Sequence, residues 1–386
     1  LPLLLILACI CFVASLSIRI VDPVIPQIAR DFSTSPEIIA LLATAVALPY
    51  AFSQPVLGPL GDSMGKVRVI KVCLAVLLAS LIVSALAPTV EILFASRVVS
   101  GLAGGGLIPV ALAVVGDRFG IHERQVALSR VLAAMITALL VGSIASGLIA
   151  DAVGWRVVLG LAALVTALAL VIAMTQLQPR SERRAESFRV ADIVSGYGQV
   201  FGNPRAKICF IAVFIEGVII FGFLPYIAIL LEARDAGGIR EAGFVLGGMG
   251  IGGLIYAATV RGLLRRLGDM FNLMRVGGVL IGLGFLGVAA AGPWAFQALA
   301  FVLVGVGFYG IHSSLQTQAT ELAPGNRGAA VSLHAFFFFL GNAAGPPLYA
   351  LAFGTAGSTP TLLAVAVLSP CLALLLARTL GQAKFR

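Results

Sequence analysis

The stretch Gly58-Pro-Leu-Gly-Asp-Ser-Met-Gly-Lys-Val-Arg-Val-Ile-Lys71 (GPLGDSMGKVRVIK, residues 58–71) sets an acid, three bases and three glycines between two long apolar runs. Such a cluster stands out because the chain of 386 residues is 60% hydrophobic and only 11% charged. A soluble globular chain carries about 25% charged residues. Apolar runs of about 20 residues recur from one end of the sequence to the other, each long enough to cross a hydrocarbon layer about 30 Å thick as a helix. The stretch therefore reads as a turn at one membrane surface, in an integral membrane protein.

Breaking the chain at its charged, proline and glycine clusters gives twelve spans, over 3–29, 36–59, 69–87, 90–116, 126–150, 155–177, 205–231, 241–262, 271–291, 294–319, 328–353 and 359–379. The first resembles a signal-peptide core, but its apolar run continues to about Ile28 without a clear cleavage site and reads as a spanning helix. Lys and Arg collect in alternate gaps. One set holds Lys66, Arg68, Lys71, Arg118, Arg124, Arg130, six bases of the middle gap, Arg261, Arg265, Arg266, Arg275, Arg327, Arg378, Lys384 and Arg386. The other holds only Arg30, Arg156, Arg234 and Arg240. Positive charge favours the cytoplasmic side, so both termini and the middle loop are expected there, in a bacterial inner membrane. The net charge of +9 is scattered through short gaps and forms no domain able to dock nucleic acid.

Shifting the sequence by 203 positions superposes Gly65 on Gly268, Arg124 on Arg327, Ala127 on Ala330, Ser129 on Ser332 and Gly142 on Gly345. The chain thus reads as two six-helix bundles, 1–177 and 205–386, joined by a cytoplasmic linker, 178–204. Parallel six-helix repeats about an axis along the membrane normal are a transporter architecture, with the ligand site between the halves near the midplane.

Gly58, Asp62, Gly65, Lys66 and Arg68 fit G-x-x-x-D-x-x-G-[KR]-x-[KR]. This resembles the loop signature of the major facilitator superfamily, with Ser63 where the family usually has a base. RIVDPVIPQIARDF (19–32) is similar to the end of the first helix in the drug:proton antiporter branch. RVVSGLAGGG (97–106) resembles the fourth-helix signature R-x-x-x-G-x-x-x-G through Arg97, Gly101 and Gly105. GSIASG (142–147) lies where that branch carries GPxxGG, with Ser143 in place of the proline; GNAAGPP (341–347) on span 11 is closer to that pattern. The resemblance implies that Asp62 helps hold the cytoplasmic side shut, with Arg124 and Arg327 as candidate partners. It also ties Arg97 to proton coupling.

Ionisable groups within the spans are functional hypotheses, because a charge at a helix centre costs about 3 kcal/mol unless it is paired or wetted. Glu216 lies midway along span 7. A carboxylate held away from water can take up and release a proton near neutrality. Arg19 and Asp22 share one face of span 1 at i, i+3 spacing, either as a neutralised pair beside Pro23 or as a pair that exchanges partners with Glu216 or Arg97. These four are the expected proton-coupling residues. Tyr50 and Gln54 on span 2, Phe308, Tyr309, His312 and Gln316 on span 10, and His334 and Asn342 on span 11 are the expected lining of a solute cavity. The two histidines are not at metal-ligand spacing. The five cysteines all lie in apolar runs and read as packing residues.

No Walker loop, HExxH or nucleophile set occurs, and GGMGIGG (247–253) falls inside span 8 with no strand before it. The sequence therefore predicts no enzyme and no cofactor. It predicts a monomeric secondary transporter that exchanges a small, partly apolar molecule for protons. A nutrient symporter or uniporter of the same fold, and a transporter-like receptor, are the alternatives.

Overall fold

The computed structural model describes residues 2–119, 121–178 and 190–382, which form helices and turns without a strand. Within them the side chains of residues 58, 59, 62, 121, 122, 124, 125, 190–194, 325 and 382 lie outside the described set. Asp62 and Arg124, and the middle-gap bases Arg180, Arg183, Arg184 and Arg189, are among the residues so affected.

Twelve helices are long and apolar enough to cross a membrane. Spans 1 to 6 are Leu3–Asp31, Pro36–Leu57, Lys66–Ala85, Val90–Arg118, Val126–Val153 and Trp155–Gln176. Spans 7 to 12 are Arg205–Ala233, Ile239–Leu267, Met270–Ala289, Trp294–Leu322, Arg327–Ala356 and Ser358–Gly381. In hydrocarbon every backbone N–H and C=O must be satisfied within the protein, which leaves the helix as the form these apolar runs can take. The protein is an all-α, multi-pass membrane protein of two pseudo-symmetric six-helix bundles. A further helix, Val190–Phe201, lies between spans 6 and 7.

The packing repeats along with the sequence. Span 2 packs on span 4 as span 8 packs on span 10, and span 3 packs on spans 4 and 6 as span 9 packs on spans 10 and 12. Span 1 packs on span 5 as span 7 packs on span 11. The two most extensive contacts between the halves are span 5 with span 8 and span 2 with span 11, and the repeat operation exchanges one pair for the other.

The turns obey the same offset. Gly65 has φ 92° and Gly268 has φ 86°. Gly154 has φ 93° and Gly357 has φ 85°. Each stands between two spans in a conformation that costs an L-residue about 1–2 kcal/mol, so the glycines at these corners are dictated by the backbone. Gly65 also fixes where span 3 begins. The helix starts at Lys66, three residues before the position that hydropathy alone predicts.

Spans 8, 1 and 7 also differ from the sequence reading. Span 8 runs through Arg261, Arg265 and Arg266 to Leu267, since long basic side chains can ride a helix out of the apolar layer. Span 1 is interrupted by a 3-10 turn at Asp22–Val24, where Pro23 and Pro26 lack the N–H that a continuous helix requires. Span 7 is interrupted over residues 217–225, and the 203-residue offset places the end of that interruption, Pro225, on Asp22.

Candidate functional site

The interruption of span 7 builds the site. Its first helix ends at Glu216, the next five residues, Gly217–Phe221, form a π-turn, and the helix resumes at Tyr226 after Pro225. Widening a helix to i→i+5 releases backbone carbonyls from their usual partners, and such turns gather at functional sites. Two are taken up by side chains. Tyr349 of span 11 donates its hydroxyl to the Ile219 carbonyl at 2.7 Å. Arg19, from the other half of the molecule, donates to the Phe221 carbonyl at 3.3 Å.

Arg19 is thus a cross-half residue. Its Nη1 also reaches Asp22 Oδ2 at 3.4 Å, its Nη2 donates to Asn342 Oδ1 of span 11 at 3.1 Å, and its guanidinium lies 4.7 Å from the centroid of the Phe221 ring. Arg97 is 1% exposed, donates to the Ser17 carbonyl at 2.5 Å and interacts electrostatically with Asp22. The i, i+3 pair expected on span 1 is present, within a larger group that takes in spans 4, 7 and 11.

Glu216 begins the π-turn but belongs to a second group. Its Oε2 lies 2.7 Å from His312 Nδ1, with the carboxylate side chain 5% exposed and the imidazole 20% exposed. The His312 ring lies 5.0 Å from His334, 5.0 Å from Phe308 and 4.7 Å from Phe338. Phe221 touches this aromatic group as well, at 5.0 Å from Phe308 and 5.1 Å from Phe338. One five-residue turn therefore joins an acid–imidazole pair inside the second bundle to an arginine of the first. Among the described contacts Glu216 pairs with His312, and neither Arg19 nor Arg97 touches it.

Buried polar side-chain atoms without a hydrogen-bond partner among the described residues are Glu216 Oε1, His334 Nε2, Asn342 Nδ2, Arg97 Nε and Nη1, Tyr50 Oη and Gln27 Oε1. Native interiors leave few such atoms, and each calls for an explanation. Five of these seven atoms belong to the two groups just described.

The remaining expected residues are more scattered. The Tyr50 ring lies tilted against Phe339 at 4.1 Å, and the Gln54 carbonyl accepts from Ser332 at 3.1 Å, so both lie where spans 2 and 11 meet. Tyr309 turns toward Tyr256 of span 8, at 6.4 Å. Gln316 is exposed. Phe336 to Phe339 cover a full helical turn, touching Phe52, Phe210, Phe308 and Tyr50 in order.

At the end that carries the Gly65 turn, Lys66 Nζ pairs with Asp117 Oδ2 at 2.6 Å and the exposed Arg327 reaches Glu321 at 3.6 Å. The Asp62 and Arg124 side chains lie outside the described residues. Contacts also cross between the halves at the opposite end. Arg30 pairs with Glu232 at 2.8 Å, Thr44 donates to the Ala343 carbonyl at 2.7 Å, and spans 5 and 8 touch from Gly147 and Ile239 down to Leu140 and Gly250. A Cβ on Gly147 would stand 2.6 Å from the Ile239 carbonyl oxygen and 3.1 Å from Gly243 Cα.

Sequence reading missed the π-turn, the Phe221 carbonyl, Ser17, Thr44 and Tyr349. A signal was present. Pro23 and Pro225 interrupt spans 1 and 7 at nearly matched positions of the two repeats, the pattern that marks a binding site built on broken helices.

A family model described as Major Facilitator Superfamily matches residues 7–346. The chain is 25% identical over 367 residues to Multidrug resistance protein 1 of Bacillus subtilis (strain 168), covering 95% of this chain and 93% of that one. It is 24% identical over 357 residues to Multidrug resistance protein 2 of the same organism, covering 89% and 86%. Its fold is similar to the crystal structure of a POT family transporter in complex with 5-aminolevulinic acid, with TM-score 0.78, 13% identity, and 96% and 94% of the two chains covered.

Proposed function

The chain belongs to the major facilitator superfamily, and we propose that within it the protein is a proton-coupled exporter of a small, partly apolar molecule. The observation that carries this reading is the Phe221 turn, which ties the Glu216–His312 pair of one half to Arg19 of the other. Protonating Glu216 would neutralise the acid of that pair at the head of the turn. The backbone carbonyl that Arg19 holds lies five residues further along the same turn, so a change at the pair is felt where the halves meet. Proton uptake then biases the equilibrium between two arrangements of the halves by as much as the proton's affinity differs between them.

In this reading the end bearing Gly65 and the basic gaps faces the cytoplasm of a bacterial cell. The contacts at Gly147, Gly243, Arg30 and Glu232 then face outward, and the structure is read as a state closed to the outside. The multidrug names of the relatives at 25% and 24% identity support export of partly apolar solutes. Ser143 replaces the proline of the antiport signature, and span 5 runs as one helix through it. That departure keeps cotransport as the second reading.

One assay separates the two. In proteoliposomes given a pH step, ethidium is expected to accumulate when the interior is acid, since protons then leave as the solute enters, and a protonophore is expected to abolish the accumulation. Accumulation driven only by an acid exterior would establish cotransport and overturn exchange.

A further inference from the structure

The second bundle carries a groove on its outer flank. A cavity of about 270 Å³ lies between spans 7 and 12, with Ile281 of span 9 and Ile311 of span 10 also lining it. Ile211 of span 7 and Leu375 of span 12 stand at its rim, 59% and 58% exposed, so it opens toward lipid. The polar groups of its walls are already engaged. The Ser369 hydroxyl donates to the Val365 carbonyl at 2.7 Å and the Thr379 hydroxyl to the Leu375 carbonyl at 2.9 Å, while the Glu216 carboxylate is turned to His312. The remaining lining side chains are isoleucine, leucine and alanine. The groove also has the depth of one leaflet. Its lining runs from Ile208 to Ile220 on span 7 and from Ser369 to Thr379 on span 12, about 18 Å and 15 Å at 1.5 Å per residue. Half of a hydrocarbon layer of about 30 Å is about 15 Å.

The surface end of the groove is basic. Lys207 precedes the lining residues Ile211 and Ile215 at i, i+4 and i+8, and Arg378 follows Leu375 at i+3, so each continues the rim of its own helix. Span 7 begins and span 12 ends on the side of the Gly65 turn, which brings both bases to the same end. Both are exposed, and neither has an ion-pair partner among the described residues. No Asp or Glu occurs in 203–215 or 358–382, so the two helices carry no counter-charge there. We infer that this groove is a binding site for an anionic phospholipid, with one acyl chain along it and the headgroup phosphate held by Lys207 and Arg378. Depth and charge choose the occupant together. The apolar walls take hydrocarbon of one leaflet's length. A zwitterionic lipid would fill them equally well but would bring no net negative charge to the two bases. Basic pockets between spanning helices at the cytoplasmic surface are suited to anionic headgroups in this way.

The test is native mass spectrometry of the detergent-solubilised protein titrated with dioleoylphosphatidylglycerol or dioleoylphosphatidylcholine, which share their chains and differ in charge. The anionic lipid is expected to bind at least tenfold more tightly. Lys207→Gln and Arg378→Gln should each weaken it about fivefold. Arg265→Gln with Arg266→Gln, which removes two exposed bases at the end of span 8, should leave it unchanged. Ile215→Trp and Leu372→Trp, which place bulk in the groove, should each weaken it about tenfold. Inorganic phosphate in large excess should not displace the lipid. The comparison of the two lipids uses the unaltered protein, and the charge variants alter exposed side chains, so neither depends on a variant that must refold. Equal affinity for the two lipids would overturn the inference, since hydrocarbon alone would then occupy the groove. An equal loss in the span 8 control would overturn it by reducing the effect to surface charge. Displacement by phosphate, or binding that both tryptophan variants leave intact, would overturn it by showing a headgroup site without a chain. A dimer that takes up no phosphatidylglycerol would overturn it by giving the groove to a second copy. None of these readings measures transport, so each leaves the proposed function where it stands.

Discussion

In Glu216→Gln, pH-driven solute accumulation is expected to fall to background, by at least a hundredfold, while solute binding changes by no more than a few-fold. The substitution is close to isosteric and keeps a polar contact with His312, which lies 2.7 Å from the native carboxylate. What it removes is the ability to exchange a proton. A hundredfold loss corresponds to about 2.7 kcal/mol at 1.36 kcal/mol per tenfold, within the coupling energies of about 1–3 kcal/mol that link distinct sites in proteins. The change acts on coupling and leaves the apolar contacts of a solute in place, so binding and flux should separate. The measurement is parallel pH-jump flux and equilibrium binding on the same reconstituted preparation. Flux that survives at wild-type level would remove Glu216 from the coupling step. Binding lost along with flux would recast it as a solute ligand only.

The second large effect is expected from Gly147→Val. Spans 5 and 8 approach so closely that the new Cβ would stand 2.6 Å from the Ile239 carbonyl oxygen, 3.1 Å from Gly243 Cα and 3.2 Å from the Arg240 carbonyl oxygen. These neighbours are backbone and cannot swing aside as a side chain would. Overpacking of this kind costs about 1–3 kcal/mol. The contact lies between the halves, so the molecule can relieve it by parting spans 5 and 8 without disturbing either bundle. The cost therefore becomes a shift of about 5- to 150-fold away from this arrangement. Spin labels at the exposed positions Val153 and Ala233, in a Cys371→Ser background, should report a longer inter-half distance in the variant. Gly160→Val is the control. Nothing stands within 4 Å of a Cβ at Gly160, and the distance should stay at the wild-type value. An unchanged distance in Gly147→Val would mean that the contact yields locally and the halves do not part.

Much of this fold is legible in the sequence because it rests on one-dimensional signals. The spans follow from apolar length, the turns from glycines that must take positive φ, and the two-bundle arrangement from an offset that superposes Gly65 on Gly268. The same offset holds for Gly154 and Gly357, a pair that emerges only once φ is known. The site is less legible, for a reason that the arginines make plain. Arg19 is separated from Asn342 by 323 positions and from Phe221 by 202. Which of several buried polar groups pair is decided by how spans cross, and hydropathy does not report that. Glu216 and His312 were both conspicuous as polar residues in apolar runs, yet nothing in the sequence joined them. The π-turn is harder still. It is set by the close approach of Gly217 and Gly222 to the backbone of span 11, and its functional group is a carbonyl, which every residue has.

The central claim is that a proton on Glu216 decides which arrangement of the two halves is favoured. It is tested most directly by double electron–electron resonance between labels at Val153 and Ala233, recorded at pH 5.5 and pH 8 in the wild-type sequence and in Glu216→Gln. The account predicts a pH-dependent distance distribution in the former and a single pH-independent distribution in the latter. A wild-type distribution that ignores pH, or a variant that follows pH as the wild type does, would contradict it.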